Sequence, residues 1–122
     1  MKVLKITKYL FLTMALFTSC YYDVEEDLYE IPECTVENMS YQNDILPIIQ
    51  NNCYGCHDAK NNFGNVTLEG YDGLSTYVMN GKLLGVIKHA PGFPSMPQNA
   101  NKLLECEIEK IESWVTDGAP NN

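Results

Sequence analysis

The residues best placed to do chemistry are Cys53-Tyr54-Gly55-Cys56-His57. C-x-x-C-H is the attachment signature for c-type haem. Two thiols at this spacing add across the two vinyl groups on one edge of a porphyrin. The histidine that follows then lies under the iron and offers an imidazole nitrogen as proximal ligand. The pattern has two competing uses. A C-x-x-C pair is half of a zinc site, but the second Cys/His pair at ligand spacing is missing. It is also the motif of thiol redox proteins, which expects a strand–helix setting in an α/β domain. This chain is short and reads as mostly helical, so covalent haem c is the reading its residue types favour.

A second candidate lies 39 residues after His57, in His89-Ala-Pro-Gly-Phe-Pro-Ser-Met96-Pro97. Pro91, Pro94 and Pro97 stiffen this loop, and a stiff loop carrying one Met suits a weak thioether–iron bond, which needs its ligand positioned in advance. Met96 is therefore the expected sixth ligand. The competing roles are a core-filling methionine for Met96 and bis-His ligation through His89. Met79 reads as helix core, and Met39 precedes the haem helix.

Short helices must carry these groups. Asp44 is the expected N-cap of a helix through Ile45–Asn51, with Ile45, Ile48 and Ile49 on one face and Pro47 tolerated in the first turn. The haem motif follows at its C-terminal end. Residues 58–72 are rich in Gly and Asn and read as loop, with a brief extended piece at Val66-Thr67-Leu68. A backbone carbonyl in this loop is expected to accept the His57 Nδ1–H and fix the ring, although the sequence does not say which one. A second helix is expected at Leu74–Asn80, with Gly81 just past its end, and Leu83–Ile87 gives another apolar run. The last helix is expected at Cys106–Asp117, ended by Gly118 and Pro120. Its apolar face reads Leu104, Ile108, Ile111 and Val115, with Trp114 nearby. The glutamates at 105, 107, 109 and 112 read as a solvated face that also suits the helix dipole.

Length allows one domain at most. Residues 1–19 read as an export signal: Lys2, Lys5 and Lys8 precede a short apolar run, Leu10–Phe17, too short to span a bilayer. A membrane anchor or a buried helix is the other use of such a run. Leu16-Phe17-Thr18-Ser19-Cys20 resembles a bacterial lipobox with Phe at a position that is usually Leu. That resemblance implies lipidation at Cys20, anchoring an exported protein to a membrane facing the periplasm or cell exterior; the alternative is an ordinary cleaved signal. Residues 20–33 carry six acids from Tyr21 onward and read as a flexible tether reaching roughly 40 Å when extended, or else as a segment docked through its tyrosines. Residues 34–122 are the expected domain. Without the leader, five lysines face sixteen carboxylates, a formal charge of −11, and the chain has no Arg. Nucleic acid is excluded as a partner on charge, and a redox protein with a basic docking surface is favoured.

Cys34 and Cys106 remain. They sit before the first helix and at the start of the last, and those helices should meet if the chain folds around one haem. A disulfide between them is expected, closing a 72-residue loop; two free thiols are less compatible with export.

Residues 40–120 resemble a small class I bacterial cytochrome c domain. The matching features are the apolar helix before C-x-x-C-H, the Ser95-Met96-Pro97 loop, and the aromatic-bearing C-terminal helix followed by Gly-Ala-Pro. The resemblance implies an all-α fold of three to four short helices around one covalent haem, His57 and Met96 as axial ligands, one-electron transfer, and a crossing of the first and last helices near Trp114. One feature departs from the pattern: no Pro lies between His57 and Ala90 to orient the proximal ring. The expectation is a monomeric electron carrier. A filled sixth position leaves no room for substrate, so no enzyme is expected. A haem-based sensor, a permanently docked subunit of a membrane oxidoreductase and a haem-free structural lipoprotein are the alternatives.

Overall fold

The computed structural model describes residues 33–122; Cys20, the export signal and nearly all of the acidic tether lie outside the described residues. The described part is helical and contains no strand. A π-type turn at Tyr41–Ile45 leads into α1 (Leu46–Asn52), followed by α2 (Tyr54–His57), a 3-10 turn (Phe63–Asn65), α3 (Gly70–Met79), α4 (Lys82–Ile87) and α5 (Glu105–Thr116). There are more helices than the three to four expected, because the first breaks at Cys53 and the 83–87 apolar run forms a helix of its own. Among the described residues no helix is long and apolar enough to cross a membrane.

The first helical run begins at Ser40 rather than at Asp44. The Ser40 hydroxyl accepts from Asn43 N at 3.3 Å, and Asp44 reaches back to accept from Ser40 N at 2.8 Å, a reciprocal cap one turn earlier than expected. Pro47 explains the wide turn that follows. It has no N–H to give the Asn43 carbonyl, and its ring crowds that oxygen. The backbone opens, with Ile45 N donating to Ser40 O at 3.1 Å and Leu46 N to Tyr41 O.

α3 starts at Gly70, four residues before the expected Leu74, so the loop after C-x-x-C-H is shorter than the sequence suggests. α5 agrees with expectation to within one residue at each end, with Asp117 as C-cap. Ile108, Ile111 and Trp114 are buried on its inner face. Leu104, read as part of that face, is instead 72% exposed at the N-cap, and Leu103 takes the core position. The chain is extended there, and neighbouring side chains of an extended backbone point to opposite sides.

The core unites Ile45, Ile49, Leu74, Leu83, Ile87 and the inner face of α5. An aromatic cluster marks where the first helical run packs on the last. Tyr41 stacks on Trp114 with ring centroids 6.0 Å apart, and Tyr71 meets both rings edge-on. The polar ends of the cluster are satisfied. Trp114 Nε1 donates to Pro120 O at 3.0 Å, and Tyr71 OH donates to Ala119 O at 2.8 Å. A disulfide joins Cys34 to Cys106 at the start of α5.

Candidate functional site

The end of α1 delivers the two thiols and the imidazole together. Cys53 N still donates to Ile49 O, but the Cys53 backbone turns away from the helical region (φ −122°, ψ −36°). α2 then restarts, with His57 N donating to Cys53 O at 3.0 Å. Cys56 and His57 therefore lie in the single turn of α2, with Cys53 as its N-cap residue. Both thiols are free; Cys53 is half-buried and Cys56 exposed. The residue just before is pinned to α5. Asn52 Nδ2 donates to Ile48 O at 2.9 Å and to Glu107 Oε1 at 3.2 Å, and the other Glu107 oxygen accepts from Leu104 N. One carboxylate thus caps the last helix and holds the chain entering the motif.

His57 is gripped from the loop that follows it. Its carbonyl accepts from Leu68 N at 2.8 Å, and its ring Nδ1 lies 3.3 Å from Val66 O. A carbonyl oxygen only accepts, so this contact puts a hydrogen on Nδ1, and in the neutral ring Nε2 is then the nitrogen that carries the lone pair. That is the tautomer a metal-bound imidazole requires when its other nitrogen is held by a carbonyl. The orienting carbonyl belongs to Val66, in the stretch expected to be extended, and no proline is needed. The loop is anchored further along. Ala59 N donates to Glu69 Oε2 at 2.7 Å, and Gly70 N donates to the hydroxyl of Tyr54, a residue inside the motif.

The electrostatics bear on the use of Cys53. Burial, and next the nearby Glu107 carboxylate, push the Cys53 thiol up to about 11. A thiol redox pair or a zinc site works through thiolate, which this environment disfavours. A thioether is neutral and carries no such penalty. Among the described residues, no three His, Cys, Asp or Glu side chains converge on a point that could hold a metal ion. The chain offers at this turn two thiols and one imidazole, donors whose number and spacing would fit two covalent attachments and one axial bond.

Met96 sits half-buried in the turn-rich segment after α4. Its N–H donates to Val86 O at 3.0 Å, and its carbonyl lies 3.0 Å from His89 Nε2. Phe93, in the same loop, lies against α4 at Gly85, where an added Cβ would come within 2.6 Å of three ring carbons. The other methionines are placed differently. Met39 is buried in the core, and Met79, expected to be core, is 86% exposed. Met79 falls five residues after Leu74, well off the inward face that Leu74 and Val78 share.

No family model, curated protein or solved structure matches this chain.

Three parts of the site escaped sequence reasoning. The Asn52–Glu107 link and the contact of His89 with Met96 have no signature in one dimension. Gly85 had one: a glycine inside the apolar run Lys82–Ile87 signals close approach of another group.

Proposed function

We propose that this protein is an electron carrier, a monohaem c-type cytochrome lipoprotein passing single electrons between membrane or periplasmic redox partners. The observation that carries the reading is the 3.3 Å contact of His57 Nδ1 with Val66 O, which suits Nε2 as a donor to iron, next to the two free cysteines of the same motif. When bound, the haem supplies reversible one-electron chemistry at its iron. The chain's own residues do the rest. Cys53 and Cys56 would hold the group covalently, and His57 and Met96 would ligate the iron, with His57 oriented by the Val66 carbonyl.

The surface supports the same reading. Phe63, in the loop after His57, and Phe93, in the Met96 loop, are large apolar residues exposed in the two loops from which the axial ligands would come. The class I cytochrome c-like arrangement, lipidation at Cys20 and a basic redox partner belong to the same proposal. The excess of carboxylates favours docking that weakens with added salt.

The test is a pair of absorption spectra, oxidised and dithionite-reduced, of the exported protein and of Met96→Ala. A low-spin reduced spectrum, with a sulfur-to-iron charge-transfer band in the oxidised protein that Met96→Ala abolishes, is the expected result. A band that survives the substitution moves the ligand to another methionine. Rapid carbon monoxide binding by the reduced parent points instead to an open iron and a sensor.

A further inference from the structure

Two helices of this domain, α4 and α5, end in the same pair of hydrogen bonds, and α4 breaks the residue rule for that ending. After α5, Ala119 N donates to Trp114 O at 2.8 Å and Gly118 N to Val115 O at 3.1 Å, with Gly118 at φ +90°. After α3, Gly81 is also left-handed, at φ +72°, and donates to Val78 O, but Lys82 N turns to Asn80 Oδ1 instead of back to the helix. After α4 the pair of bonds that ends α5 recurs, from Ala90 N to Gly85 O at 3.0 Å and from His89 N to Val86 O at 3.3 Å. Here, however, the left-handed residue is His89, at φ +52°. Glycine is the usual residue at this place because a Cβ is crowded there. Position 89 carries a side chain where the backbone alone favours none.

That side chain has an occupation. Its Nε2 lies 3.0 Å from Met96 O. The carbonyl accepts, so Nε2 carries the hydrogen and is taken up by this contact, which leaves only Nδ1 of the neutral ring with a lone pair. Met96 N is meanwhile bound to Val86 O. Both backbone polar groups of Met96 are therefore tied to the end of α4, one directly and one through the His89 ring.

We infer that His89 is a positioning residue for Met96. Its ring N–H holds the Met96 peptide so that the thioether is presented to the iron already in place, and His89 is not itself the sixth ligand. The inference rests on the haem reading above and deepens it. A thioether binds iron weakly, so a preset loop raises the fraction of time the bond is made.

The test uses the full-length, haem-matured protein with His89→Gly, His89→Asn and His89→Gln. Gly and Asn both suit the left-handed backbone, and neither reaches Met96 O. If His89 served only the helix end, both would preserve every property of the parent. The expected result is retained covalent haem, helical circular dichroism and thermal stability, but a weakened sulfur-to-iron band. Carbon monoxide should displace the ligand in the reduced variants roughly fivefold to tenfold faster, the shift that one lost hydrogen bond produces. His89→Gln, which restores an N–H donor of similar reach, should recover most of the band. Parent-like bands and carbon monoxide rates in both His89→Gly and His89→Asn would overturn the inference. So would loss of the low-spin spectrum in these variants with its retention in Met96→Ala, which would make His89 the ligand. A parent with no covalent haem is a different result: it removes the haem reading itself before any His89 variant is compared.

Discussion

Replacing Cys34 and Cys106 together by serine should cost this domain much of its stability. The bridge joins residues 72 apart. On the chain-entropy account, opening a loop of that length releases about 4 kcal/mol of constraint from the unfolded chain. A domain the size of the Cys34–Asn122 unit, about 90 residues, has a total stability of about 4–13 kcal/mol. The loss is therefore between a third and all of it. Both positions are half-buried, so the serine hydroxyls reach water and add little desolvation cost. Unfolding entropy of about 2.1 cal/mol/K per residue gives about 190 cal/mol/K for the domain, so the midpoint should fall by about 20 °C. The assay is thermal and urea unfolding of parent and double variant, each with the same haem content. Because the bridge acts on the unfolded chain, the urea m-value should rise when it is removed, as the unfolded chain expands. A midpoint shift under about 5 °C with an unchanged m-value would refute the reasoning, since it would mean the bridge does not constrain the unfolded ensemble.

Three further outcomes follow from particular contacts. Gly85→Ala gains about 1 kcal/mol of helix propensity but displaces Phe93. Phe93 is already 40% exposed, which limits that cost to about 1–2 kcal/mol. The net change in urea midpoint should be near zero, with a weaker sulfur-to-iron band; a clear stabilisation with an unchanged band would show that Phe93 does not rest there. Trp114→Phe removes the indole N–H from Pro120 O and part of the stack on Tyr41, and should destabilise by about 2–3 kcal/mol in urea unfolding; a loss below about 1 kcal/mol would deny the cluster its place in the core. In the haem-free protein, Cys56 should alkylate first, and the Cys53 rate should climb with pH up to about 11. The folded form holds the Cys53 proton more tightly than the unfolded chain does, so the haem-free domain should also lose stability as pH rises from the ordinary thiol range toward that value. Equal alkylation rates for the two cysteines at neutral pH would contradict this burial.

Much of the domain was legible before any coordinate. The last helix announces itself through Ile108, Ile111, Trp114 and the Gly118 stop, because helical periodicity and a helix end are local properties. Boundaries decided by tertiary contacts were not legible. Ser40 takes the cap from Asp44 because Asp44 serves the same cap from the other side, and Pro47 widens a turn that propensity alone would leave regular. Met79 looked like core because it is apolar, yet its register places it off the buried face. Leu103 and Leu104 differ by one residue, and only packing decides which turns inward. The Val66 carbonyl and the His89–Met96 contact depend on where loops return, information that a sequence read residue by residue does not carry.

The central claim is that haem is joined covalently through Cys53 and Cys56. It is tested most directly by the intact mass of the protein exported from cells that carry a haem-attachment system, measured under denaturing conditions. The account expects a mass raised by one haem, with covalent attachment through both thiols abolished in the Cys53→Ala, Cys56→Ala double variant. A parent protein exported in quantity at its unmodified polypeptide mass would contradict it, and the pair would then have to be reread as thiols.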